Sequence, residues 1–415
     1  MLRALRHRDF ALLWVGQAVS LVGDGVYLVA IAWLVYDLSN APGALALVGF
    51  AWTLPQVATL LVAGVLSDRL ERRRVLVIAD LLRCFAIGGI AALTLADSVA
   101  LWQVVALVVV YGLGQALFQP AFTAIIPSVV PRNELLQANA LKELMEPVGM
   151  YFAGPALGGL LIAAAGVGTA FLLDAATFAV SATAIRLMSR QRPPAGIRRS
   201  VRRELAEGLA YVRSQAWLWV TLCGAALALF ATFGPFEVLL PYIIRNDLGG
   251  DAATFGIVLS AGGLGSIVAA ISIGRVGAPR RHVTFMYAAW AFAIGLDVAL
   301  ALAGAAWQMC VIAFVSYAAA TVGMVVWNTL VQTLVPPTMI GRVSSLDWFV
   351  SIGLVPISFA LTGPMAELIG ARVTLGVAGV LGVATCALLF VPGVRDPERR
   401  PLESLEAGPE LASPL

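Results

Sequence analysis

Long apolar runs broken by short charged stretches make up most of this chain. Twelve runs, numbered here in chain order as spans 1 to 12, occupy 10–36, 44–67, 75–95, 101–126, 137–165, 169–188, 217–244, 253–273, 284–303, 307–334, 345–369 and 373–391. A helix that crosses a bilayer needs about 20 mostly apolar residues, and in lipid a lone segment can satisfy its backbone only as a helix. Each run is therefore predicted to be a membrane-spanning helix. Span 5 is the least typical, because Lys142, Glu143 and Glu146 fall in its first third. The sharpest break follows span 2. Residues 44–67 carry no charge, and six charges then fall within residues 68–74: Asp68, Arg69, Glu71, Arg72, Arg73 and Arg74. Such a density of charge between two apolar runs must lie in water, as a tight turn between two spans.

Composition agrees with the pattern. The 415 residues are 60% hydrophobic and 12% charged, with a mean hydropathy of +0.90. Soluble domains run at about 45–50% apolar and about 25% charged. The net charge of +3 says little, but its placement says more. Of the 27 Lys and Arg residues, 24 lie at the N-terminus, in span 5, at the end of span 6, in the even-numbered turns or in the C-terminal tail. The odd-numbered turns hold only Arg245 and Arg372, and Arg83 lies inside span 3. By the positive-inside rule both termini are expected in the cytoplasm, and an even number of spans agrees with that.

The chain also repeats itself. Val130 and Val335 each precede a proline, 205 residues apart; Tyr111 and Tyr317 stand 206 apart, Arg72 and Arg280 208, and Gly154-Pro155 and Gly363-Pro364 209. One recurring offset implies two homologous halves, the parallel repeat of a six-plus-six transporter. The expected fold is all-α, with twelve transmembrane helices in two pseudo-symmetric six-helix bundles. The expected divisions are an N-terminal bundle at 1–188, a cytoplasmic linker with an amphipathic helix at 189–215, a C-terminal bundle at 216–394 and a disordered tail at 395–415. The second half lacks the acid of the first turn, since Asp68 corresponds to Val276.

Polar groups inside spans carry the candidate chemistry, because they are costly in lipid. Gln17, Ser20, Asp24 and Tyr27 recur at three and four residues on span 1 and so share a face, expected to border either a watery cavity or a buried partner. Asp24 and Glu237, on the equivalent spans 1 and 7, are the expected proton-linked acids, with Glu146 as a further candidate. Tyr111, Gln115 and Gln119 on span 4, Phe233 on span 7, and Tyr317 and Asn328 on span 10 complete an expected substrate cavity, a greasy pocket with a few polar anchors. Ordinary hydrogen bonding between helices is the competing explanation of these stripes. Asp80 and Arg83 are expected to pair structurally, and Glu146 to reach Arg83. Asp347 is expected to meet Arg69 across the halves.

These residues resemble the major facilitator superfamily. Gly64, Asp68, Arg69, Arg72 and Arg73 resemble its signature turn between helices 2 and 3. Gly149, Gly154, Pro155, Gly158 and Gly159 resemble the helix-5 motif of its drug exporters, though close packing alone explains small residues there. Gly114-Gln115-Ala116, Phe118, Pro120-Ala121, Val130-Pro131 and Ala138-Asn139-Ala140 are similar to the subgroup of macrolide efflux pumps and enterobactin exporters. The resemblance implies the major facilitator fold, a gate in which Asp68 meets the start of span 11, and proton-coupled export of a bulky amphipathic molecule by alternating access. A narrow siderophore exporter is the alternative, and a non-transporting membrane sensor or scaffold a remote one. One departure is that span 4 holds no basic residue, where many drug–proton antiporters carry an arginine.

No nucleotide-binding loop of the form GxxxxGK[ST] occurs, which excludes direct use of ATP by that motif. The two histidines, His7 and His282, lie in basic turns, and the four cysteines lie in apolar runs. No enzyme activity, metal, cofactor or nucleic-acid partner is expected. The expected partners are a small molecule, protons and the bilayer of a bacterial cell membrane, with the protein acting as a monomer.

Overall fold

The computed structural model describes residues 3–69, 71–131, 134–189, 201–277, 279–336 and 339–399, with the backbone alone at 60–69, 136, 140, 201–205 and 399. Nearly all of it is helix. Among the described residues eleven helices are long and apolar enough to cross a bilayer. A further 28-residue helix, Pro42–Arg69, lies between the first two of them and is span 2. Span 1 (Arg8–Leu38) has 31 residues and a length of about 46 Å at 1.5 Å per residue, so it must tilt or project beyond a 30 Å hydrocarbon layer. The others are span 3 (Arg72–Leu95), span 4 (Leu101–Val129), span 5 (Gln137–Ala165), span 6 (Val167–Arg186) and span 7 (Ala216–Asn246), then span 8 (Ala252–Val276), span 9 (His282–Leu302), span 10 (Ala306–Leu334), span 11 (Ile340–Ile369) and span 12 (Ala371–Phe390).

Two spans are interrupted where proline removes a backbone donor. Span 5 winds as a π-helix over Glu146–Ala153, a segment with Pro147 in its first turn and Pro155 just after it. The extra residue in that turn lets Phe152 O accept from Ser260 Oγ of span 8 at 2.9 Å. Span 11 breaks at Leu354, just before Pro356. The strongly amphipathic linker helix Val201–Ser214 docks on the start of span 11, where Arg342 Nη1 donates to Glu207 Oε2 at 2.7 Å.

The helices fall into two groups, spans 1–6 and spans 7–12, which meet chiefly through span 2 against span 11 and span 5 against span 8. Span 5 lies so close to its neighbours that side chains are excluded. A Cβ on Gly154 would sit 2.6 Å from the Cα of Gly25 on span 1, and one on Gly159 would sit 2.8 Å from the Cα of Ala253 on span 8.

The core is divided unequally along the spans. At the end holding the links between spans 1 and 2 and between spans 7 and 8, one apolar cluster joins both groups, from Val26–Tyr36 of span 1 to Val238–Ile244 of span 7 and on to Phe359 and Leu375. At the opposite end two separate clusters form. One holds Phe10, Leu76, Phe118 and Ile185 of spans 1, 3, 4 and 6. The other holds Leu218, Met286, Leu330 and Val343 of spans 7, 9, 10 and 11. Among the described residues the apolar core is therefore shared by the halves at one end and divided between them at the other.

Residues 395–399 depart from the expected disordered tail. They form a 3-10 turn at Asp396–Arg399. Glu398 accepts from Thr284 N at 2.5 Å and Thr284 Oγ1 at 3.1 Å, satisfying donors at the start of span 9. Val394, just before the turn, is fully buried. The rest of the expected tail lies outside the described residues.

Candidate functional site

A clasp seals the end with the shared core. Arg245 Nη1 donates to Asp37 Oδ1 at 2.7 Å, and its guanidinium lies 5.4 Å from the centre of the Trp33 ring. Asn40 and Asn246 exchange side-chain bonds at 2.6 and 3.1 Å. Tyr36 donates to Val238 O at 2.5 Å. The paired positions are 208 and 206 residues apart, within the range of the internal repeat, so equivalent places in the two halves meet each other here.

Beneath the clasp is a pocket walled by both halves. Tyr27, Trp52 and Tyr151 contribute from one side, and Glu237, Tyr317 and Phe359 from the other. It is narrow, with about 60 Å³ of open space. A small-molecule site is commonly about 300–1,000 Å³, so this conformer grips the site rather than holding it open. Tyr151 of span 5 and Tyr317 of span 10 meet edge to face across the halves, 5.9 Å between ring centres. Glu237 stands on span 7 between Pro235 and Pro241, and that helix is tied to span 11 by Gly234 N donating to Ser358 Oγ at 2.9 Å. Among the described residues no Lys or Arg lines the pocket.

Of the residues expected in the cavity, Tyr27 and Tyr317 line this pocket, and so does Glu237, expected as a proton-linked acid. Phe233 stands behind it, edge-on to Phe359 at 5.8 Å. Gln119 is half-buried and Asn328 is exposed, and neither lines the pocket. Trp52, Tyr151, Phe255 and Phe359 line it without having been singled out.

The stripe on span 1 turns elsewhere. Gln17, Ser20 and Asp24 are buried and do not line the pocket, with Asp24 4% exposed. Asp24 Oδ1 accepts from the hydroxyl of Tyr111 on span 4 at 2.8 Å. Arg83, only 1% exposed, pairs with Asp80 one turn away on span 3 and donates to Gln115 Oε1 at 3.1 Å. Its guanidinium lies over the rings of Phe118 at 4.2 Å and Phe178 at 4.5 Å. Asp174 on span 6 is fully buried beside Thr177, whose hydroxyl donates to Asp174 O at 2.7 Å. The cavity expected around Gln17, Ser20, Asp24, Tyr111 and Gln115 is thus corrected to a polar core inside the N-terminal half. The physical cause is Arg83: a carboxylate withdrawn from water is held near an available cation. The arginine missing from span 4 is supplied by span 3, packed against span 4. Three acids share this one cation, and among the described residues Gln17 Oε1, Ser20 Oγ and Asp174 Oδ2 have no hydrogen-bond partner.

Glu146 does not reach Arg83. It is exposed, and the Tyr151 hydroxyl lies 3.5 Å from Glu146 Oε1. Asp347 accepts from Trp327 Nε1 at 3.0 Å and from Ser351 Oγ at 3.4 Å, both in its own half. The side chains of Gly64, Asp68 and Arg69, and with them the expected Asp347–Arg69 pair, lie outside the described residues. Arg72 and Arg73 bind within the N-terminal half. Arg72 donates to Ala124 O at 2.7 Å, and Arg73 donates to Met188 O at 2.5 Å beyond the end of span 6. Cations there suit the exposed carbonyls and the negative end of a helix dipole. In span 5, Gly149, Gly154 and Gly158 face span 1, while Pro155 and Gly159 face Gly256 and Ala253 of span 8. The motif therefore packs one half and joins the two. Among the described residues no three His, Cys, Asp or Glu side chains converge to hold a metal ion.

The sequence profile of the transmembrane secretion effectors matches residues 1–414. The chain is 28% identical over 390 residues to the multidrug efflux pump Tap of Mycolicibacterium fortuitum, covering 90% of this chain and 93% of that protein. It is 23% identical over 396 residues to macrolide efflux protein A of Streptococcus pyogenes, covering 93% and 96%. Its fold is similar to the crystal structure of the nucleoside transporter NupG, with a TM-score of 0.68, 12% identity and coverage of 92% and 99%. It is also similar to a bacterial homologue of the iron transporter ferroportin in an inward-facing state, with a TM-score of 0.66, 16% identity and coverage of 92% and 97%.

Proposed function

The chain belongs to the transmembrane secretion effector family of the major facilitator superfamily, and from that premise we propose that it exports a bulky amphipathic small molecule, driven by protons, by alternating access. The observation that carries the reading is the pocket between the halves, sealed on one side by a shared core and a polar clasp, with the described core divided between the halves on the other. If the two groups rock about this pocket, the seal moves from one end to the other. The positive-inside rule puts the end where the core is divided, together with both termini, in the cytoplasm of a bacterial cell. The pocket would widen toward that end to take up its load.

The pocket suits an apolar body with a polar or cationic point, since aromatic rings surround one carboxylate and, among the described residues, no cation lines it. That disfavours an anionic siderophore. The relatives named for multidrug and macrolide efflux agree in kind. For protons the favoured acid is Asp24. Its core holds three acids against one arginine, and excess negative charge in a bilayer interior is neutralised by protons at least cost. An inward proton gains about 2.3 kcal/mol per 100 mV of membrane potential.

The test is erythromycin uptake into proteoliposomes carrying an imposed pH gradient. The wild type is expected to accumulate the drug against its gradient. Asp24→Asn is expected to lose accumulation while still exchanging labelled for unlabelled drug. Full accumulation by Asp24→Asn removes Asp24 from the mechanism. A wild type indifferent to the pH gradient overturns proton coupling.

A further inference from the structure

We infer that the ring pair Tyr27–Tyr111 links the pocket to Asp24, so that a bound substrate sets whether that acid holds a proton. The inference rests on the proton-coupled reading and names the side chains that would carry the coupling.

Asp24 does not line the pocket, although Tyr27, three residues along the same face, does. The Tyr27 ring lies 4.9 Å from the Tyr111 ring, with the planes 30° apart. The Tyr111 hydroxyl donates to Asp24. Phe171 stands edge-on behind Tyr27 and Phe178 behind Tyr111, each at 6.1 Å. The two tyrosines thus form a packed bridge from the pocket wall to the acid. A substrate pressed against Tyr27 bears on Tyr111 before it can affect Asp24.

The chemistry gives the direction. A phenol that donates to a carboxylate favours the charged form. With the pocket filled, Tyr27 and Tyr111 are held in place, the hydroxyl stays on Asp24, and the acid is ionised. With the pocket opened wider and unfilled, Tyr27 loses its backing and Tyr111 is free to withdraw. Asp24 then loses its donor and takes a proton from water, forming its own O–H bond. On refilling, that O–H bond breaks and the proton returns to water, while Tyr111 keeps its proton throughout. Substrate and proton therefore exclude each other, as an antiporter requires, and by linkage each weakens the other by the same factor. The charged and titratable groups acting on this site are Tyr27 on span 1, Asp80 and Arg83 on span 3, Tyr111 on span 4, Glu146 on span 5 and Asp174 on span 6. Of these, Tyr27 touches both the pocket and Tyr111.

The experiment measures protons released when erythromycin binds the purified full chain, by calorimetry in buffers of different ionisation enthalpy. The wild type is expected to release about one proton per molecule bound near neutral pH. Tyr111→Phe is expected to bind within about threefold of wild type yet release almost none, because the ring stays and only the donor goes. In proteoliposomes it should exchange drug but fail to accumulate it. Tyr27→Leu, which removes the ring, should release almost none per molecule bound. Wild-type proton release from Tyr111→Phe or from Tyr27→Leu overturns the link. Absence of release and of pH-driven uptake in the wild type is a separate result, which overturns the proton-coupled reading itself.

Discussion

The clasp between Asp37 and Arg245 makes a prediction that can be worked from its geometry. The Asp37 side chain is 49% exposed and that of Arg245 27%, so water screens the pair. An exposed ion pair contributes about 0–1 kcal/mol, and the guanidinium over Trp33 adds about 0.5–1 kcal/mol. Asp37→Asn should therefore weaken the closed state of this end by about 1 kcal/mol, or about fivefold in the closed-to-open ratio. Arg245→Gln, which also removes the contact with Trp33, should cost nearer 1.5 kcal/mol, or about tenfold. Because the two positions are equivalent in the repeat, exchanging them as Asp37→Arg with Arg245→Asp should restore the ion pair but not the ring contact.

The assay is a distance distribution between spin labels at the outer ends of spans 1 and 7, after replacement of the four native cysteines. Each single substitution should enlarge the long-distance population, and the exchange should bring most of it back. The difference between wild type and Asp37→Asn should shrink at 1 M salt, where the screening length falls to about 3 Å. Equal populations in all four proteins would show that the shared apolar core alone holds this end. Failure of the exchange alone would show that the geometry of the pair, rather than its charge, is what matters.

Three further outcomes follow from buried or capping contacts. Arg83→Gln should cost about 3–5 kcal/mol, because Asp80 is left charged and unpaired in the interior; a thermal melt checks this, and Arg83→Lys should not restore it, since an ammonium cannot lie flat between Phe118 and Phe178. Glu398→Ala should free Thr284 N and raise hydrogen exchange over the first turn of span 9 by about tenfold, a loss of about 1–2 kcal/mol. Asp251 caps span 8, and the N–H and hydroxyl of Thr254 beside it hold its carboxyl below the ordinary aspartate value; its stabilisation should be present at neutral pH and lost as pH falls through the aspartate range, whereas Asp251→Ala should cost about 1 kcal/mol at pH 7 and show no such loss.

Span positions were legible because a bilayer demands about 20 apolar residues at a stretch, and nothing in this chain competes with that signal. The repeat was legible too, and it held more than was drawn from it. Asp37 and Arg245, and Asn40 and Asn246, share the repeat offset, and a chain folded about a pseudo-twofold axis brings equivalent positions together near that axis. What sequence could not supply was direction. Gln17, Ser20, Asp24 and Tyr27 share one face in any helix, but which neighbour that face meets depends on Arg83, a residue two spans away. Tyr27 then diverges from the other three because it lies nearer the end with the shared core, where span 1 borders the second half. The pocket aromatics Trp52, Tyr151, Phe255 and Phe359 sit one to a span on spans 2, 5, 8 and 11, and no single helix shows a pattern. Pro147 and Pro155 pointed to a distortion of span 5, but a kink and a π-turn look alike in sequence.

The two halves have kept one architecture and divided the chemistry. The N-terminal half buries Asp24, Asp80, Arg83 and Asp174 together, away from the pocket, whereas the C-terminal half sets Glu237 in the pocket wall without a cation. If one half handles the proton and the other the substrate, removing each acid should damage a different measurement. Glu237→Gln should weaken binding of a cationic amphipath such as erythromycin by about tenfold, the value of a charge-assisted contact of about 1.4 kcal/mol. It should leave binding of an uncharged amphipath within about twofold, and the proton-to-drug ratio unchanged. Asp24→Asn should abolish the ratio and affect the binding of both ligands alike. Equilibrium binding of both ligands, with paired proton and drug fluxes in proteoliposomes, separates the two. A loss of proton flux in Glu237→Gln would place both roles on one acid, and the division between the halves would then describe only how the charges are packed.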